Sequence, residues 1–315
     1  MPRTLIIAAL AGLISGAVFI APMYQSILGM LFINFTHLPL FLAGLGLGTA
    51  AIGVAALTGT LIVGATQGLG PLLSFFAAIA LPTALAVRQA LQWRKAGDGS
   101  VAWYPPGRLL VLMVCYGAGM FILLYMFMGS DGPGMIETMR AMLDDMFTVM
   151  LPAMGEDERL MAAGLWAPYI PAALIVSWLI TLTVNGALAQ GLLNRAGRNV
   201  RPSFEFIQTE LPLAFAFALV ASGALWYFSG GVSAFFGQTL AIVIALAYLF
   251  VGLTVVHQLS RGWRLRPLML TLFYLMLLFF LGWPGLSLVA GVGLADQLFR
   301  LRPRFAGSAP DEEDE

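Results

Sequence analysis

Between residues 4 and 299 the chain is a succession of apolar runs separated by short stretches that hold nearly all of its charge. A bilayer's hydrocarbon core takes about 20 helical residues to cross, and most of these runs are close to that length. A water-soluble fold could not hide them, because too little polar surface remains to cover it. Only 10% of the residues are charged and 60% are hydrophobic, whereas soluble domains carry about 25% charge. Lipid is therefore the expected solvent. In lipid every backbone N–H and C=O must find a partner within the protein, which favours helices. The sequence predicts an all-α fold, a polytopic transmembrane helical bundle.

The runs cover residues 4–22, 26–47, 49–67, 69–91, 109–128, 169–193, 211–228, 235–259, 268–281 and 286–299. The last two are read as a hairpin around Gly282-Trp283-Pro284-Gly285. That makes ten spans, or eight if a hairpin is re-entrant. With a cytoplasmic N-terminus, ten spans put 14 of the 16 Lys and Arg residues on the cytoplasmic side and leave only Arg140 and Arg159 outside. This is the asymmetry of the positive-inside rule. Both termini are then cytoplasmic, and the expected location is a bacterial cytoplasmic (inner) membrane. The first run is read as a span and not as a signal peptide, since no small-residue cleavage site leads into a polar mature domain. Residues 1–305 form one transmembrane domain, and within it 129–168 is an extracytoplasmic amphipathic segment. The acidic tail, 306–315, is disordered by composition.

Polar side chains within the spans are few, and each has two readings. The second run carries Asn34, Thr36, His37 and Pro39, then Gly44, Gly46 and Gly48. That combination marks a broken or tightly packed membrane segment. An intramembrane histidine is a functional candidate; the competing reading has His37 at the outer interface, bonding carbonyls freed by the break. Gln25, Asn185 and Gln190 either line a solute cavity or hydrogen-bond between helices, and packing is the favoured reading. Ala8, Gly12 and Gly16 recur at four-residue spacing, so one face of the first span is bare enough for close helix approach. Gly44 and Gly48 extend the set of small packing positions. Met135, Met139, Met142, Met146 and Met150 share a helical face, read as an amphipathic interfacial helix in preference to a soft-metal site. Asp296 stands four residues before Arg300, the spacing of a helical ion pair. His257 is read as interfacial. Cys115 is the single cysteine, so no internal disulfide forms.

Leu38-Pro39-Leu40 with Gly44 to Gly48, the Gly/Ala-rich third run, and the ending Asp296-Gln297-Leu298-Phe299-Arg300-Leu301-Arg302 together resemble the bacterial YybS-like membrane proteins. That family has no established activity, and the likeness is to its alphaproteobacterial form. It spans nearly the whole chain on short hydrophobic motifs. It implies a distant similarity of the N-terminal half to the substrate-binding S components of energy-coupling-factor transporters. In those proteins small residues on the first helix dock onto a transmembrane coupling subunit, a role that Ala8, Gly12 and Gly16 would take here. S components usually have six spans, fewer than this chain.

The sequence contains no Walker A loop, His-Glu-x-x-His or Gly-x-Ser-x-Gly motif. No enzymatic activity, cofactor, metal or nucleic-acid partner is expected. The leading expectation is a solute-binding or transporter-like membrane component. Gln25, Asn34, His37, Asn185 and Gln190 are its candidate contacts for a small molecule of unknown identity. The alternative is a non-catalytic scaffold that recruits a membrane-protein partner, a coupling subunit or another, through Ala8, Gly12, Gly16, Gly44 and Gly48. The lipid bilayer is a partner in either case.

Overall fold

The computed structural model describes residues 2–24, 27–129, 134–202, 209–261, 263–300 and 302. Gln25 and the acidic tail at 306–315 lie outside the described residues. In chain order the helices are α1 (Pro2–Ile20), α2 (Ile27–Phe32), α3 (His37–Leu47), α4 (Thr49–Gln67), α5 (Leu69–Phe75) and α6 (Leu81–Ala90). A short antiparallel ribbon follows, β1 (Trp93–Lys95) against β2 (Val101–Trp103), with Trp93 opposite Trp103. Then come α7 (Pro106–Gly129), α8 (Met135–Met150), α9 (Glu156–Trp166), α10 (Ile170–Arg195), α11 (Leu213–Phe228), α12 (Gly231–Leu259), α13 (Arg266–Leu275) and α14 (Gly282–Phe299). The ribbon is a small departure from an all-helical chain. Its turn is closed by Asp98, whose Oδ1 accepts from the Ser100 hydroxyl and backbone N–H at 2.7 and 2.9 Å. Those bonds hold the Asp98 carboxyl below the usual carboxylate range.

Among the described residues, eight helical stretches are long and apolar enough to cross a membrane. The stretch Glu156–Arg195 joins α9 to the run at 169–193, and the count differs from the ten runs in two further places. Leu213–Phe228 has 16 residues, a length of about 24 Å at 1.5 Å per residue, short of a core about 30 Å thick. The runs at 268–281 and 286–299 fall in one apolar stretch, Arg266–Phe299. That stretch is not a straight rod. Gly282 breaks it with φ 46° and ψ −131°, a conformation that a side chain would oppose. α14 meets α12 mid-helix, where Gly252 and Gly293 face each other. The two helices meet again at their C-terminal ends, where Gln258 reaches the Arg302 carbonyl. They therefore run in the same direction, and the segment between them runs back.

The chain divides into two compact units, Met1–Tyr116 with Ser177–Glu205, and Gly117–Val176 with Phe206–Glu315. In the first, single glycines with positive φ, Gly48 and Gly68, turn α3 into α4 and α4 into α5. α1 packs on α4. A Cβ on Gly12 would come within 2.2 Å of the Ala55 carbonyl oxygen, and one on Gly16 within 2.6 Å of Ile62. The bare face of the first span is thus used inside its own unit, and Ala8 and Ser15 on α1 are fully buried.

Pro82 organises the break between α5 and α6. It has no N–H, so the carbonyls that an α- or π-turn would direct at it, Ala78 and Ala77, lose their donor. A π-helical turn occupies Phe76–Ala80, and side chains from elsewhere supply the missing donors. The Tyr116 hydroxyl donates to the Ala77 carbonyl at 2.6 Å, and the Trp178 indole N–H to the Ala78 carbonyl at 2.7 Å. The two rings stack at 5.8 Å.

In the second unit, α11 and α14 both pack on α12. Met135 is buried with Phe121 and Phe235, and Leu143 with Ala163 and Ala167. The methionine row of α8 is therefore divided. Met135 enters the core, while Met142, Met146 and Met150 are exposed.

Candidate functional site

The first polar centre forms where the second run breaks. A 3-10 turn at Ile33–Phe35 ends the path of α2, and α3 begins at His37 with Pro39 in its first turn, where a missing N–H costs nothing. At this break two backbone carbonyls take donors from neighbouring helices, that of Asn34 and that of Thr36, the N-cap of α3. Ser15 on α1 donates to the Thr36 carbonyl at 2.7 Å. Asn185 on α10 donates through Nδ2 to the carbonyls of Asn34 and Thr181, both at 2.7 Å.

His37 is 1% exposed. Its Nδ1 lies 2.8 Å from Thr83 Oγ1, and the Thr83 hydroxyl donates to the Ile79 carbonyl at 2.6 Å. A hydroxyl has one proton. With that proton committed to Ile79, His37 Nδ1–H must be the donor to Thr83. Nε2 is then the acceptor nitrogen of a neutral imidazole, and it is buried with no partner. Asn185 Oδ1 is buried without a partner as well. Each such atom costs about 1–3 kcal/mol.

Of the residues singled out from the sequence, His37 and Asn185 thus gather at one helix break. Asn34 joins them through its backbone carbonyl, while the residue itself is exposed. Gln190 belongs elsewhere. Its Nε2 donates to the Arg201 carbonyl at 2.7 Å. Arg201 in turn donates to the Ala90 and Tyr104 carbonyls at 2.8 and 2.9 Å and lies over the Trp103 ring. Burial pushes its guanidinium down to about 10, so it remains charged at neutral pH and pins the loop after α10. Gly44 packs against Val87 and Ile52, whereas Gly48 is a turn. Ser15 and Thr83 were not singled out from the sequence. A hydroxyl directly after the helix-breaking Pro82 is the signal that marks Thr83.

The second centre lies in the other unit, around the end of α14. The Asp296–Arg300 pairing expected from spacing does not form. α14 stops at Phe299, and Arg300 takes a left-handed conformation, φ 51° and ψ 55°. The chain turns back, so Arg302 meets Asp296 instead. Its backbone N–H donates to Oδ1 at 2.8 Å and its Nε to Oδ2 at 2.6 Å. Asp296 is 2% exposed. Arg302 also donates to the Thr209 carbonyl at 3.0 Å. Beside this pair is a cleft of about 780 Å³ that also reaches Glu210, Gln258, Gln297 and Arg300. Thr209 Oγ1, Gln258 Oε1 and Gln297 Oε1 are buried there without partners. On α12, His257 Nε2 lies 2.8 Å from the Tyr274 hydroxyl.

Among the described residues, no group of three His, Cys, Asp or Glu side chains is placed to hold a metal ion. A family model described as "Predicted membrane protein (DUF2232)" matches residues 13–297. No curated protein and no solved structure matches the chain.

Proposed function

The chain belongs to the DUF2232 family of predicted membrane proteins, and from that premise we propose that it is a solute-binding, transporter-like component of a bacterial cytoplasmic membrane and not an enzyme. The observation that carries this reading is His37 Nε2, a buried acceptor without a donor at the break between α2 and α3. Burying a polar atom without a partner is expensive, and an ionisable side chain inside a membrane-spanning segment is a functional candidate by default. Broken helices are where secondary transporters place such sites. Asn185, with its free Oδ1, offers a second acceptor beside the same break. A solute with an N–H or O–H donor matches the open acceptor at His37.

The same reading takes the chain across the membrane ten times, with the short α11, which packs on α12, counted as one crossing and both termini cytoplasmic. The reversal at Gly282 supports two crossings within Arg266–Phe299, and the distribution of Lys and Arg supports an even number. The sequence resemblance to YybS-like proteins, and through them to S components, bears on solute binding and not on the number of crossings. A coupling subunit would have to dock on a surface other than Gly12 and Gly16, which pack against α4. That packing also weighs against the scaffold reading built on the same face.

The test is a thermal-unfolding screen of the purified protein against a broad panel of polar metabolites. A ligand at 100 times its Kd stabilises by about 2.7 kcal/mol. At least one metabolite should raise the unfolding midpoint, and His37→Leu should remove that shift. A panel without any shift would overturn the reading.

A further inference from the structure

The unpartnered atoms of the second unit differ from His37 in lining a cleft. We propose that this cleft, between the C-terminal ends of α12 and α14 and the start of α11, binds a zwitterion: a molecule with an ammonium group and an anionic oxygen group on an apolar body.

The argument starts from the two glutamines. Gln297 commits its Nε2 to the Leu211 carbonyl at 3.0 Å, and Gln258 directs its own at the Arg302 carbonyl at 3.5 Å. Each partner is an acceptor, so the amide orientations are fixed and both Oε1 atoms are left as acceptors. With the Thr209 hydroxyl they make three polar atoms that suit an N–H donor. Asp296 is held by Arg302, so it forms a fixed, ion-paired wall. At the rim stand Arg300 and Glu210, both exposed, and neither takes part in a salt bridge among the described residues. Arg300 is held at the rim by a left-handed backbone that a non-glycine residue rarely adopts. A simple anion would meet Glu210, and a simple cation would meet Arg300. A molecule bearing both signs answers both. Leu211, Leu213 and Val251 supply the apolar wall. This chemistry is shared by the phosphoethanolamine headgroup of a bilayer lipid and by a free apolar amino acid.

The experiment uses the full-length protein exchanged into lipid-free detergent micelles. Thermal unfolding is followed with glycerophosphoethanolamine, L-leucine, ethanolamine and glycerol phosphate as probes, and co-purifying phospholipid is quantified by mass spectrometry. Arg300→Gln, at an exposed position, serves as the variant, with its ligand-free midpoint as the folding control. A shift with either zwitterion, about tenfold weaker in Arg300→Gln, supports the proposal with a free zwitterion as source. Phosphatidylethanolamine retained by the wild type and depleted in Arg300→Gln supports it with the bilayer as source. Shifts of equal size from ethanolamine or glycerol phosphate alone would overturn it. So would the absence of both a zwitterion shift and lipid depletion.

Discussion

His37 in one unit, and Gln258 with Gln297 in the other, each leave a buried acceptor without a donor, yet their surroundings differ. The partners of the His37 network are hydroxyls and backbone carbonyls, with no charged group among them. The glutamines sit beside an ion pair and a cleft of about 780 Å³ rimmed by Arg300 and Glu210. In the first centre the polar groups gather around a broken helix, and two atoms, His37 Nε2 and Asn185 Oδ1, are left over. In the second, a helix end throws the chain back on itself and builds charge into the wall. A closed centre of this kind suits a small donor that replaces one bond, and an open one suits a larger, doubly charged ligand.

That contrast predicts a graded set of stability effects, measured as shifts in denaturant-induced unfolding. Asp296→Ala should be the most damaging, because it strips the carboxylate from Arg302 where the two side chains are 2% and 12% exposed. Losing one member of a buried ion pair costs about 3–5 kcal/mol. A loss below about 1 kcal/mol, the value of a surface pair, would mean the second centre is far wetter than its burial implies. The glycine crossings come next, and here the two units should behave alike. A Cβ on Gly252 would lie 1.9 Å from the Val289 carbonyl oxygen, and one on Gly12 lies 2.2 Å from that of Ala55. Gly252→Ala and Gly12→Ala should each cost about 1–3 kcal/mol through overpacking. Gly53, which faces open space on α4, should by contrast tolerate alanine or gain up to about 1 kcal/mol in helix propensity.

Tyr116→Phe follows, at about 1–2 kcal/mol, since it leaves the Ala77 carbonyl without its donor. His37→Leu should be the mildest, within about 1 kcal/mol of wild type. It gives up one hydrogen bond to Thr83 but also removes an unpartnered nitrogen, and the Thr83 proton keeps its acceptor at Ile79. A large loss on His37→Leu would erase the contrast, because it would make His37 a structural pin of the Arg201 kind.

Much of this architecture was legible in the sequence, and the reason is solvent. Lipid forces long uninterrupted apolar runs, so α4 appears with the same limits in both readings, 49–67. The break at His37 and Pro39 was legible because proline and polar residues are rare in such runs. What the sequence could not show were contacts that depend on other helices. Nothing near Asn185 marks the Asn34 carbonyl, 151 residues away, as its partner. Arg300 was expected to pair with Asp296 from helical spacing, but its own left-handed conformation ends the helix and gives that place to Arg302. The methionine row of α8 looked like one face, yet its start is drawn into the core by Phe121 and Phe235. The two glutamines gave no signal at all, because their open acceptors exist only once their Nε2 groups are committed elsewhere.

The measurement that tests the account most directly is the metabolite unfolding screen run in parallel on wild type and His37→Leu. The account predicts a wild-type shift with at least one donor-bearing metabolite, and no shift from it in the variant, whose ligand-free stability stays close to wild type. Equal shifts in the two proteins, or none in either, would contradict a binding role for the buried imidazole.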